Sequence, residues 1–169
     1  DFIITHTGLF AADGNPEALW KVLSDKCNED EDFKRKLKIR LIGKTDCQII
    51  AEINKAGLTE NLQDMGYLSH NDAVKEQRKA SMLILPLRKE PEYKAVLPGK
   101  LFEYIASRTP ILGIGQADGA MSMILSQTST GKVCEWNDSE SMKVFINECW
   151  KSHLACTSVT SGADISRFT

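Results

Sequence analysis

Short β-branched runs alternate with segments of helical pattern along the whole chain, and the punctuation between them limits the fold more than any other feature. "FIITHT" (2–7) predicts a strand ending at Gly8, and "NPEALWKVLSDKC" (15–27) a helix with Asn15 as N-cap and Pro16 at its first position. "KIRLIG" (38–43) is the next strand, followed by a helix in "TDCQIIAEINKAG" (45–57) that stops at Gly57. A short strand around "LQDMG" leads into Gly66. "SHNDAVKEQRKA" (69–80) then reads as a helix with Ser69 as N-cap and Asp72 three residues on, and "SMLILPL" (81–87) as a buried strand closed by proline. In "VLPGKLFEYIASRTPILGIG" (96–115) a helix opens on Pro98 and Gly99 and a strand runs from Ile111 to Ile114. A helix near 119–126, a strand "GKVCEW" (131–136) and an amphipathic helix "SESMKVFINECWKSHL" (139–154) complete the series.

Alternating strands and helices with apolar strands require an α/β domain, a Rossmann-like three-layer α/β/α arrangement around a mostly parallel sheet. The predicted domain covers 1–154, and the polar stretch 155–169 reads as the start of a truncated element. With strand-like residues directly after Asp1, the chain is expected to be a piece of a longer protein. In such sheets ligands bind beyond the carboxyl ends of the strands, so the loops after strands are the place to search for a site.

Charge narrows the partners. Lys and Arg number 21 against 23 Asp and Glu, which gives no general electrostatic grip on nucleic acid or an anionic membrane. The apolar runs are too short to span a bilayer. The five cysteines, Cys27, Cys47, Cys134, Cys149 and Cys156, stand singly, with no C-x-x-C and no His/Cys cluster, so buried reduced thiols in a cytoplasmic protein are expected.

On a helical wheel at about 100° per residue, Leu101, Phe102, Ile105 and Ala106 are predicted to face the sheet, and Lys100, Glu103, Tyr104 and Ser107 to face away. A Lys100–Glu103 ion pair on a solvated face is one explanation of the second group. It has a defect: a lysine in the first turn is repelled by the helix dipole, and the favourable order places glutamate ahead of lysine. An anion at the helix start removes the conflict. Backbone N–H groups after Gly99, the dipole and an ammonium together suit a diphosphate, and Glu103 one turn deeper could accept hydrogen bonds from ribose hydroxyls.

Other motifs are missing. The loop "GLFAADG" after the first strand lets a ligand approach the backbone closely, but it is neither G-x-x-x-x-G-K-[ST] nor G-x-G-x-x-G. His6 either lines the cleft or is a core histidine, and His70 and His153 are far from it in sequence. Ser126 and Ser129 lie outside any G-x-S-x-G context.

"PGKLFEYIASRTPILGIG" closely resembles the P-x-K-x-x-E-Y-x-A-x-x-x-P-[IV] segment of family 4 glycosyltransferases, retaining enzymes of the GT-B fold that use nucleotide sugars. "ITHTGLFAADGNPEALWKVL" resembles their first strand, glycine loop and helix, and "MGYLSHNDAVKEQRKASMLILPL" the stretch just upstream of that segment. The resemblance covers nearly the whole chain and corresponds to the donor-binding half of a GT-B enzyme. It implies that Glu103 binds the donor ribose, that Pro98, Gly99 and Lys100 face the diphosphate, that Gly8 approaches the donor phosphates, and that Gly66, Tyr67 and Leu68 lie beside the nucleobase. Lys100 would then stabilise the leaving phosphate, without a metal ion or other cofactor.

Two positions depart from the family's pattern. Ala95 stands where many members carry a sugar-binding glutamate, and Gly14 where many carry a phosphate-binding arginine; Arg88, Lys89 and Lys94 are candidate substitutes. The implied function is transfer of a sugar from a UDP- or GDP-linked donor to a glycan or lipid-linked acceptor bound by a missing N-terminal domain, with no nucleic acid partner. The implied setting is the cytoplasm, with peripheral contact at the inner face of the membrane, and the fragment alone is expected to be inactive. A UDP-sugar epimerase on the same architecture and a non-catalytic nucleotide-binding or scaffold domain are the alternatives.

Overall fold

A computed structural model describes residues 1–156. Six parallel strands form one sheet in the order β3-β2-β1-β4-β5-β6. They are β1 (Phe2–Thr7), β2 (Leu37–Ile42), β3 (Leu62–Gly66), β4 (Met82–Pro86), β5 (Ile111–Ile114) and β6 (Gly131–Cys134). The helices are α1 (Glu17–Glu29), α2 (Glu31–Lys36), α3 (Cys47–Lys55), α4 (His70–Lys79), α5 (Lys100–Ser107), α6 (Ala120–Thr128) and α7 (Ser139–Leu154). The strand order reverses between β1 and β4, which opens a crevice at their carboxyl ends.

The four central strands, β2, β1, β4 and β5, are largely buried, and alternate residues feed two cores. Met82 and Ile84 of β4 join a core with α1, α3 and α7, whereas Leu83 and Leu85 join one with α5 and α6. This is the three-layer arrangement expected from the sequence, with every strand pair parallel. Phe2, Phe33 and Trp150 close the first core, with ring centroids 5.2 to 5.6 Å apart.

Most predicted caps hold. The Ser69 hydroxyl accepts from the Asp72 N–H at 3.2 Å, and Gly57 ends α3 with φ +81°. Asn15 is a correction. Helix α1 begins at Glu17 with Pro16 at the cap, and the Asn15 side chain instead accepts the indole N–H of buried Trp20 at 2.8 Å. A second correction adds α2, which the charged stretch 28–36 conceals: Asp30 caps the N–H groups of Asp32 and Phe33, and buried Phe33 is its single anchor.

The wheel also needs correcting at α5. Tyr104 is fully buried and Ala106 exposed, because the buried stripe centres on Leu101, Tyr104 and Ile105. All five cysteines are free, but only Cys27, Cys134 and Cys149 are buried; Cys47 and Cys156 are exposed. Burial pushes the Cys27 and Cys134 thiols up to about 11 and that of Cys149 to about 12. Among the described residues no helix is long and apolar enough to cross a membrane. The predicted element in 155–169 lies, from residue 157 onward, outside the described residues.

Candidate functional site

The carboxyl ends of the first three strands step past one another through glycines. Gly8, at φ +97°, donates its N–H to the Ile42 carbonyl at 2.9 Å, and Gly43 donates to the Gly66 carbonyl at 2.7 Å. A Cβ on Gly43 would stand 2.8 Å from the Gly8 carbonyl oxygen, and one on Gly8 would stand 3.4 Å from Lys100 Cε. The Lys100 stem thus lies within contact distance of the end of β1, where the positive φ of Gly8 favours glycine.

Helix α5 starts at Lys100 with Gly99 as its cap and with no side chain capping it. Lys100 Nζ lies 3.5 Å from Glu103 Oε1, and both side chains are partly exposed. Glu103 Oε1 also accepts from the amide of Gln77 on α4 at 2.5 Å, while Oε2 lies 4.0 Å from His70 Nδ1 at the start of α4. Pro98 and Gly99 border a cleft of about 560 Å³ that is also lined by Leu9, Asp13, Gly14, Arg88 and Tyr93.

Of the three candidate substitutes, Arg88 lines the cleft together with Gly14. Its Nε lies 3.2 Å from Asp13 Oδ2, and its Nη1 donates to the Tyr93 hydroxyl at 3.3 Å. Lys94 lies outside that lining and is paired with Asp118 at 2.8 Å. Lys89 borders a different depression of about 750 Å³, where Asp13, Glu17, Glu52 and Glu90 outnumber it. That depression is the larger one, but its charge repels a diphosphate. The cleft at Gly99 has one acidic and one basic side chain in its lining, Asp13 and Arg88, and the two are paired.

The structure thus brings Gly8, Lys100 and Glu103 into direct proximity and sets Pro98 and Gly99 on the adjoining cleft. Gly66 joins them through Gly43. Tyr67 projects into solvent at 88% exposure, and Leu68 is half-buried between Tyr67 and the start of α4. Ala95 is exposed at the end of a short turn, Pro91–Ala95, before the cleft.

His6 belongs to the core. It is 4% exposed, packs against Phe10 in a tilted arrangement with centroids 4.3 Å apart, and is held neutral: burial first, and Lys100 second, lower its pKa to about 3. Sequence reasoning missed Thr7, Gln77 and Tyr104. The Thr7 hydroxyl accepts from Gln77 at 3.1 Å, and the Tyr104 hydroxyl accepts from the Thr7 backbone N–H at 2.9 Å. One signal was present: Gln77 stands four residues after Ala73, on the buried stripe of α4.

No family model matches the sequence, and no curated protein matches it. Solved structures do match. WaaG, a glycosyltransferase involved in lipopolysaccharide biosynthesis, superposes with a TM-score of 0.69 at 12% identity, over 99% of this chain and 45% of that one. Anabaena HepE in complex with UDP-glucose gives 0.71 at 14% identity, over 99% of this chain and 44% of HepE.

The fold is that of one GT-B domain. Sucrose-phosphate synthase from Thermosynechococcus elongatus shares the same domain, with a TM-score of 0.72 at 16% identity over 95% of this chain and 39% of the synthase. The chain spans less than half the length of each of these proteins. The cleft bordered by Leu9, Pro86 and Gly99 lies just beyond β1 and β4, at the carboxyl ends of the sheet where the reversal of strand order opens the crevice.

Proposed function

We propose that this chain is the donor-binding domain of a retaining glycosyltransferase that moves a sugar from a UDP- or GDP-linked donor to a glycan or lipid-linked acceptor. The observation that carries the reading is the juxtaposition of Lys100, at an uncapped helix start, with the open backbone of Gly8 and with Glu103 one turn deeper. The UDP-glucose bound by HepE supports a nucleotide-sugar ligand for the same fold.

Each part has a role in this reading. Glycosyl transfer passes through an oxocarbenium-like state while negative charge grows on the leaving diphosphate. Lys100 and the α5 N-terminus oppose that charge, and preorganised positive charge at that position lowers the barrier without a metal ion. Arg88 supplies a second cation beside Gly14, where the resembling family carries its arginine. Glu103 accepts from the ribose hydroxyls, and the Gly66–Leu68 segment borders the base. The acceptor binds to a further domain, so this chain alone turns over little donor. The whole protein works in the cytoplasm, with peripheral contact at the inner face of the membrane.

Calorimetric titration of UDP and GDP into the chain, and into a longer protein that contains it, tests the reading. Absence of binding by both at millimolar nucleotide would overturn it. Exposed Ala95, where a sugar-binding glutamate is expected, favours a second reading as a nucleotide-binding scaffold without transfer. Release of UDP or GDP from a donor sugar in the presence of acceptor separates the two. A donor sugar converted without acceptor would mark the epimerase alternative.

A further inference from the structure

Gln77 is wholly buried, and its hydrogen bonding is lopsided. Its amide nitrogen donates to Thr7 Oγ1 at 3.1 Å and to Glu103 Oε1 at 2.5 Å, while its amide oxygen has no partner among the described residues. Turning the amide over would press that oxygen against the Glu103 carboxylate, acceptor against acceptor, so the carboxylate dictates the orientation. An unpartnered buried acceptor costs stability, and a leucine or methionine on the same stripe of α4 would avoid the cost. The backbone around Gln77 is also tied down, because its carbonyl accepts from the Thr109 hydroxyl at 2.7 Å in the segment after α5.

The consequence falls on Glu103. Oε1 is held between the Gln77 amide and Lys100, which leaves Oε2 turned toward exposed His70 at the mouth of the site. A carboxylate already held in one orientation loses less freedom when a ligand hydroxyl reaches it. We infer that Gln77 is a positioning residue that presents Glu103 to the ribose hydroxyls of the donor nucleotide without touching the nucleotide itself. This rests on the donor-nucleotide reading above.

The test compares two ligands and one ratio. Into the full-length protein and its Gln77→Leu variant one titrates UDP or GDP, whichever the wild type binds more tightly, and the 2′,3′-dideoxy form of the same nucleotide. The wild type should prefer the ribonucleotide by about tenfold or more, the scale of a charge-assisted hydrogen bond. Gln77→Leu should collapse that preference toward one, with dideoxynucleotide affinity and melting temperature held. An undiminished preference in the variant, or an equal loss for both ligands, overturns the inference and leaves the donor reading standing. A wild type that binds both forms equally also overturns it, since Glu103 then does not read the ribose. A wild type that binds neither UDP nor GDP overturns the donor reading and this inference with it. Should Gln77→Leu fail to fold, Gln77→Met reads the same ratio, and unfolding of both makes Gln77 a folding residue and overturns the proposal.

Discussion

The Tyr104 hydroxyl lies 2.9 Å from the Thr7 backbone nitrogen and fastens the end of β1 to α5 from inside the protein. Pairing between β1 and β4 stops at Thr5↔Leu83, while on the other side Gly8 already donates to Ile42 of β2. The Thr7 N–H therefore points where β4 offers no acceptor, and Tyr104 supplies one. The Thr7 hydroxyl lies 3.3 Å from the same phenol. This explains the burial of a residue that the wheel placed on the outer face.

Tyr104→Phe should keep the packing and strand the Thr7 N–H. The expected loss is about 1 to 3 kcal/mol, the cost of an unsatisfied buried donor. Urea unfolding measures it. A change below a few tenths of a kcal/mol would mean that the hydroxyl does not fasten β1.

His6 should make the fold acid-sensitive. Its folded-state pKa is lowered from 6.5 to about 3 by burial, with Lys100 adding to the effect. The unfolded chain then binds more protons than the folded one between those values, so stability rises with pH across the window and falls as pH drops below about 6.5. Between pH 7.5 and 5 the wild type should lose about 2 kcal/mol more than His6→Phe, which retains a ring against Phe10. Parallel slopes for the two proteins would show that His6 titrates normally in the folded state.

The parallel sheet was legible because strands buried on both faces leave continuous apolar runs such as "LILP" and "ILGI", and because serine, glycine and proline mark the element ends. α7 was legible to the residue, since its pattern stands clear of neighbours. α2 was not, because six residues with one apolar anchor show no period. The pairing of Lys100 with Glu103 follows from spacing on one helix, whereas Gln77 and Thr7 reach the site from α4 and β1, 26 and 96 residues from Glu103. Such contacts exist only once the sheet order is set. Asn15 was misread because its side chain suits both a cap and an indole partner, and tertiary packing on Trp20 decided between them.

Gly43→Ala should cost more than Gly57→Ala. Both positions have positive φ, +101° and +81°, so each alanine incurs backbone strain of about 1 kcal/mol. Only at Gly43 would the new Cβ also stand 2.8 Å from a backbone atom, the Gly8 oxygen, whereas Gly57 faces open space. A total above about 2 kcal/mol is expected for Gly43→Ala, read as a shift in urea midpoint. Equal costs at the two glycines would mean that the Gly8–Gly43 step can relax, and with it the floor of the site.

Lys100→Met separates a binding role from a structural one. The Lys100–Glu103 pair is partly exposed, and a lysine in the first turn opposes the dipole, so its removal should change stability by no more than a few tenths of a kcal/mol. Nucleoside diphosphate affinity should fall by about 1.5 to 3 kcal/mol, as for a hydrogen bond to a charged group, while the nucleoside without phosphates should bind the variant and the wild type alike. Added salt should weaken diphosphate binding more in the wild type than in the variant, because the lost contact is the one that salt screens. Calorimetry with UDP, uridine, GDP and guanosine at two ionic strengths provides all three comparisons. A fall in melting temperature with diphosphate affinity retained would assign Lys100 to the fold and remove it from the site.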